Sequence, residues 1–158
     1  MEVKEFEMPD GSKISVPNGE YKTYCKDQLI EEDVKTIKFS DLSASEIFII
    51  FNGRENNVDD SLANNNGKDS FSVNGEISYS GIFTYIRKEG NNFDTTVSVK
   101  ANKTLNVIDG LIHPRGNKSI YGFEKIVSGS IINSFSITTN NFFKSGSKIS
   151  VYFKDGGD

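Results

Sequence analysis

Short runs in which apolar and polar residues alternate recur along the chain, and stretches containing Gly or Asn separate them. In residues 93–100, Thr95, Val97 and Val99 alternate with their neighbours, and residues 148–153 show the same period of two. This period is typical of a strand with one face toward a core. Turn signals such as Asn74-Gly75 recur at about the 8–12-residue spacing of an antiparallel sandwich or barrel. The pattern predicts an all-β protein, an antiparallel β-sandwich of jelly-roll-like type.

The N-terminal part of the chain predicts further strands. Residues 2–24 favour β-hairpins, because the Asp10-Gly11 and Asn18-Gly19 pairs supply the positive φ angles of tight turns. The continuous apolar run at residues 47–51 is typical of a central strand that is buried on both faces. Residues 25–34 are the one stretch in which we expect a short helix.

A polar, Asn-rich stretch at residues 54–70 divides the chain and is typical of a loop or linker. It lacks the Glu that an EF-hand places as its bidentate ligand, so a solvated loop is favoured over a calcium loop. We therefore expect an N-terminal β-rich docking or accessory segment at 1–53, a linker at 54–70 and a β-sandwich domain at 71–158. The hexapeptide GSKISV occurs at 11–16 and again at 146–151. Because its flanks do not match, we interpret it as a coincidence between two edge hairpins rather than a duplicated subdomain.

Composition excludes several kinds of partner. The net charge is −4, which gives the chain no electrostatic reason to bind nucleic acid or an anionic membrane. The longest apolar run is too short to span a bilayer, so no membrane insertion is expected. The N-terminus has neither the basic nor the apolar region of a signal peptide, so we expect synthesis in a cytoplasm.

Residues suited to catalysis are sparse. His113 is the sole histidine and Cys25 the sole cysteine, so no intrachain disulfide can form and a metal site has few ligands. A nucleophilic mechanism needs an activated nucleophile beside a base, and Cys25 with His113 is the pair that the sequence leaves open. We expect a protein that is not an enzyme and uses no cofactor and no metal.

A binding role has a clearer basis. His113, Arg115, Asn117 and Tyr121 lie close together in the chain, and these residue types stack on sugars and hydrogen-bond to their hydroxyls. We select them as candidate ligand-binding residues. The alternative is that Tyr121 packs at a sheet edge and Arg115 is solvated. Of the adjacent Phe142 and Phe143, one should point outward and could meet another subunit.

The order of motifs in residues 74–153 resembles a known family. These motifs read, in order, NGEISYSG, FTYIRKEGNN, DGLIHPRGNKSIYG, SFSITTNN and ISVYF. They resemble the small β-sandwich found near the ends of phage tail-fibre and baseplate proteins, which carries a Gly- and Pro-containing loop and a final Asn-Gly hairpin. This chain departs from the family in that loop, where Ile112-His113-Pro114-Arg115 inverts the usual order, and it has Asn140-Asn141 at the last turn.

The resemblance implies a homotrimeric virion or tail-like component that recognises host cell-surface glycans and contacts other virion or tail proteins. Such a protein would end in a virion or an extracellular tail particle. Two alternatives stay open. One is a structural adapter or decoration subunit of such a particle, and the other is a bacterial β-sandwich binding protein unrelated to phage.

Overall fold

The computed structural model describes residues 3–7, 9–11, 13–17, 21–54, 66–85, 92–115, 119–126 and 131–156. Within these ranges the regular elements are all strands, which confirms the all-β prediction, and there is no helix that could cross a membrane. The strands in chain order are β1 Val3–Glu7, β2 Lys13–Pro17, β3 Lys22–Leu29, β4 Val34–Phe39, β5 Ala44–Arg54, β6 Asn66–Val73, β7 Glu76–Tyr85, β8 Asn92–Asn102, β9 Val107–Pro114, β10 Tyr121–Ile126, β11 Phe135–Phe143 and β12 Lys148–Asp155.

Two antiparallel sheets form the sandwich. The larger has six strands in the order β10-β9-β8-β5-β12-β3, and the smaller has four in the order β4-β11-β6-β7. Within the described residues, β1 and β2 form a separate two-stranded sheet, as the predicted hairpin around Asp10-Gly11. The Asn74-Gly75 pair turns between β6 and β7 with φ angles of 52° and 79°, as a tight hairpin turn requires.

The core lies between the two sheets and is largely aromatic. Phe51 of β5 is fully buried, and its ring lies 4.9 Å from that of Phe143 on the opposite sheet. Thr95, also fully buried, donates its hydroxyl to the Phe83 carbonyl across the sandwich at 2.8 Å. Val97, Ile149 and other residues predicted to face inward are buried as well. Burying this apolar surface is the main stabilising contribution to such a fold.

The predicted boundary between an N-terminal segment and the sandwich domain is wrong. β5 pairs with β8 on one side and with β12 on the other, and β4 pairs with β11. Residues 22–54 are therefore part of the sandwich, and β5 is the central strand that the apolar run predicted. The expected linker at 54–70 also ends in strand, because Asn66–Val73 forms β6 between β7 and β11. β6 pairs with β7 along its whole length and with β11 from Asp69 onward, and this backbone pairing holds the polar sequence extended.

Two local predictions are also wrong. The short helix expected at residues 25–34 is replaced by strand β3, an edge strand that needs few apolar residues because most of its side chains are exposed. The turn expected at Asn140-Asn141 is a register irregularity inside β11. The chain reverses instead at Ser145-Gly146, where Gly146 has a φ of 92°. A bulge absorbs the extra residues without ending the strand.

Candidate functional site

The candidate site lies on the outer face of the six-stranded sheet, which points away from the smaller sheet. On β5, Ile47 and Ile49 are buried in the core, and the alternating Phe48 and Ile50 lie on the outer face, partly exposed. Tyr152 of β12 is placed in the same way between two core-facing residues. Strand alternation thus puts two partly exposed aromatic side chains on one open surface.

Cross-strand register joins these aromatic residues into a row that reaches from one sheet edge to the other. Tyr152 pairs with Phe48, and Phe48 pairs with Ser98. We call the complete row the central strip, and its members are Thr23, Tyr152, Phe48, Ser98, Leu111 and Gly122. Tyr152, Phe48 and Leu111 give the strip its apolar surface, with the exposed Ser98 between Phe48 and Leu111.

A second row, the charged row, runs parallel to the central strip along one side. Its members, from β12 to β10, are Lys154, Glu46, Lys100, Asp109 and Glu124. The Glu46 carboxylate lies 3.2 Å from Lys154 Nζ and 3.6 Å from Lys100 Nζ. Asp109 and Glu124 pair directly across β9 and β10, so two carboxylates face the surface together.

Glu46 is held in its ionised form. Burial raises the pKa of this carboxyl, but hydrogen bonds from the Tyr21 hydroxyl and from Lys154, together with the charges of Lys154 and Lys100, outweigh burial and lower it overall. The Tyr21 hydroxyl donates to Glu46 at 2.9 Å, and Lys154 Nζ lies 4.8 Å from the centre of the Tyr21 ring. The charged row is therefore a fixed, hydrogen-bonding side of the site at neutral pH.

The surface sinks into a depression where β8, β9 and β10 meet. Its volume is about 510 Å³, and Ser98, Leu111 and Gly122 of the central strip line it together with Lys100, Asp109 and Glu124 of the charged row. Gly122 and Ser98 have little side-chain volume, which leaves this space open. Apolar contacts and convergent polar groups thus meet in one concavity, as in binding sites for small molecules.

On its other side the central strip is bordered by the Thr96 hydroxyl and by the one histidine, whereas the Ser150 hydroxyl in the same row is buried and accepts a hydrogen bond from the Asp27 backbone N–H. Ser150, Ile50, Thr96 and His113 form this third row across β12, β5, β8 and β9. His113 therefore lies on the outer face, partly exposed and one row away from the depression. His113 stays a predicted binding residue, and cross-strand pairing, which a local sequence pattern does not record, brings the aromatic residues to the same face.

Of the other predicted site residues that the structure describes, Tyr121 does not share the outer face with His113. Arg115 is exposed, and its Nη1 lies 3.4 Å from an Asp94 carboxylate oxygen. Tyr121 points to the inner side of β10, where it packs against the core with its ring centre 6.3 Å from that of Tyr79. Asn117 lies outside the described residues. The alternative reading, in which Tyr121 packs at a sheet edge, is the one that the structure supports.

Cys25 and His113 cannot act as a nucleophile and base. Their strands, β3 and β9, are separated by β12, β5 and β8, which puts them about 19 Å apart at the usual spacing of strands. Cys25 also packs against the core, whereas His113 lies on the outer face. Burial raises the pKa of the Cys25 thiol more than the backbone hydrogen bond at Val151 lowers it, so the thiol stays protonated at neutral pH. This chemistry is therefore excluded.

No protein-family model matches the chain, and no curated protein matches it. Among solved structures, the chain is similar to arcelin-5, a lectin-like defense protein from Phaseolus vulgaris, with a TM-score of 0.37 and 10% identity over 97% of this chain and 91% of that one. It is also similar to a Lotus tetragonolobus seed lectin, with a TM-score of 0.35 and 8% identity over 96% of this chain and 90% of the lectin. A third similar structure is peanut lectin with a 9mer peptide, with a TM-score of 0.34 and 8% identity over 96% of this chain and 99% of the lectin.

Proposed function

We propose that this protein is a carbohydrate-binding β-sandwich without enzymatic activity, and that it binds glycan on the outer face of its six-stranded sheet. The observation that supports this most is the pairing of Phe48 with Tyr152 on an open face, between a charged row and a row with hydroxyls. The C–H face of a sugar ring packs on an aromatic ring, and its hydroxyls need donors and acceptors at the periphery. The central strip and its two neighbouring rows supply both.

The direct test is a glycan array followed by alanine variants of the aromatic pair. Phe48→Ala and Tyr152→Ala should each weaken binding of an array hit at least tenfold, which corresponds to about 1.4 kcal/mol of lost contact. The matched control is Phe142→Ala, which removes an aromatic residue 40% exposed on the other sheet and should leave affinity unchanged. Equal losses in all three variants, or none in the first two, would place binding elsewhere.

A place in a phage tail or tail-like particle remains a prediction from the resemblance of residues 74–153, and so does the homotrimer. The molar mass in solution, measured by size exclusion with light scattering, tests the predicted homotrimer. A mass of three chains supports the tail-component proposal, and a monomer removes the argument from three-fold symmetry.

The second candidate function is that of a structural subunit of an assembly. It is favoured by exposed apolar residues at the β10 edge of the larger sheet, where Ile126 is 78% exposed and Ile120, just before the strand, is 59% exposed. Edge strands with exposed apolar residues readily pair with another chain. A protein that binds no glycan on the array but associates through this edge would fit this role instead.

A further inference from the structure

We infer that the site binds internal segments of a linear, uncharged polysaccharide laid across the strands, rather than a terminal sugar. This inference rests on the proposed function and specifies the class of glycan. Its basis is the shape of the central strip, which the register of all six strands defines.

The length of the central strip fits a chain of several sugars. It crosses five inter-strand spacings of about 4.8 Å, which makes it about 24 Å long, the span of about five extended pyranose units. The charged row and the row with hydroxyls flank it at about 6.8 Å on each side, two residues along each strand. A single polysaccharide chain therefore fits lengthwise between the charged row and the row that contains Thr96 and His113.

Both ends of the central strip are open. Thr23 lies on the edge strand β3 and Gly122 on the edge strand β10, and both residues are exposed. A ligand whose two ends leave the site at opposite sheet edges is recognised by its interior. A site for a terminal sugar would instead enclose one end of the ligand in a pocket.

The charged row disfavours acidic glycans. It contains three carboxylates and two ammonium groups, and both ammonium groups lie within 3.6 Å of Glu46. Asp109 and Glu124 therefore leave the depression end of the central strip negative, which repels a uronate or a sulfate and accepts hydrogen bonds from neutral hydroxyls.

The test is a set of binding isotherms with the 158-residue chain and cello-, laminari-, manno-, xylo- and chito-oligosaccharides of one to six units. In at least one series, affinity should rise at least tenfold from two to five units and then level off. Blocking both chain ends as glycosides should change the pentasaccharide affinity less than twofold. Oligogalacturonides should bind at least tenfold more weakly than the neutral oligosaccharides of the same length in the series that binds.

A blocking variant tests the placement of the ligand. A Cβ at Gly122 would lie 3.7 Å from Leu111 Cδ2, an ordinary contact, so Gly122→Ile should fold and fill the depression. It should remove the gain in affinity that the parent chain shows beyond three sugar units. Ser136→Ile adds the same side chain to the outer face of the smaller sheet, and should behave like the parent chain.

The possible failures are distinguishable. Full affinity for a monosaccharide or disaccharide, or loss of binding on end-blocking, overturns the inference while the proposed function stands. The inference is also overturned, and the proposed function kept, if the chain binds branched or terminal glycans on the array but none of the five oligosaccharide series. A chain that binds no oligosaccharide and nothing on the array contradicts the proposed function as well.

Discussion

The aromatic cluster of Phe51, Phe93 and Phe143 tests whether the N-terminal and C-terminal strands share one core. Phe51 is on β5, within the segment that the sequence separates from the sandwich, and Phe143 is on β11 of the opposite sheet. The Phe51 ring centre lies 4.8 Å from that of Phe93 and 4.9 Å from that of Phe143, both edge-to-face. The perturbation is Phe51→Ala, Phe143→Ala and the double variant.

The expected magnitudes follow from burial. Phe51 and Phe143 are both fully buried, and truncating such a phenylalanine costs about 3–5 kcal/mol. At about 2–4 °C per kcal/mol, a loss of about 4 kcal/mol lowers the melting temperature of a domain this size by about 8–16 °C. An edge-to-face pair contributes about 0.5–1.5 kcal/mol beyond its area, so the double variant should lose less than the sum of the single variants by about that amount.

The assay is urea unfolding followed by far-UV circular dichroism and by tyrosine fluorescence, since the chain has no tryptophan. If an alanine variant does not fold, Phe51→Leu and Phe143→Leu give a milder cycle with smaller losses. Phe142→Leu is the control, because its side chain is exposed and surface changes shift stability by about 0.5 kcal/mol or less. Additivity of the two core changes within about 0.3 kcal/mol, or two separate unfolding transitions, would refute the shared core.

Two further predictions concern backbone packing and charge. A Cβ on Gly53 would lie 2.1 Å from Ser147 Oγ, so Gly53→Ala should cost about 3 kcal/mol in urea unfolding, whereas Gly122→Ala, whose Cβ would make only ordinary contacts, should be nearly neutral. Equal stability of these two variants would contradict the packing. Asp33 has its pKa lowered by hydrogen bonds from the Lys144 side chain and the Ser145 backbone. Its stabilising contribution is therefore present above the unfolded pKa of about 3.9 and is lost as pH falls through the lower folded value. Asp33→Asn should therefore reduce the change of the urea midpoint with pH between about pH 5 and pH 2. The same pH dependence in the variant and the parent chain would contradict this.

Much of the fold can be predicted from local pattern. The alternation around Val97 and Val99 gives both the strand and its buried face, because the period of two is a local property. The Asn74-Gly75 turn is equally local. The wrong domain boundary has a non-local cause. The chain leaves β5, forms other strands and returns much later as β8 and β12 on either side of it, and no short pattern records that return.

The candidate site is harder to predict for the same reason. The continuous apolar run at residues 47–51 indicated burial on both faces, yet Phe48 and Ile50 are partly exposed. Continuous apolarity does not distinguish a two-sided core from an open apolar face. Tyr152 reaches Phe48 only through the pairing of β12 with β5. The predicted cluster, by contrast, relied on closeness in sequence, and it placed His113 and Tyr121 together although they lie on opposite faces of the sheet.

The most direct test of the account is a titration of the full chain with an array-selected oligosaccharide, followed by amide chemical shifts. The account predicts shifts along the central strip, at Phe48, Ser98, Leu111 and Gly122, and unchanged signals at Thr36 and Thr138 of the smaller sheet. Shifts confined to residues 115–121, or to the smaller sheet, would contradict the claim that the outer face of the six-stranded sheet is the binding surface.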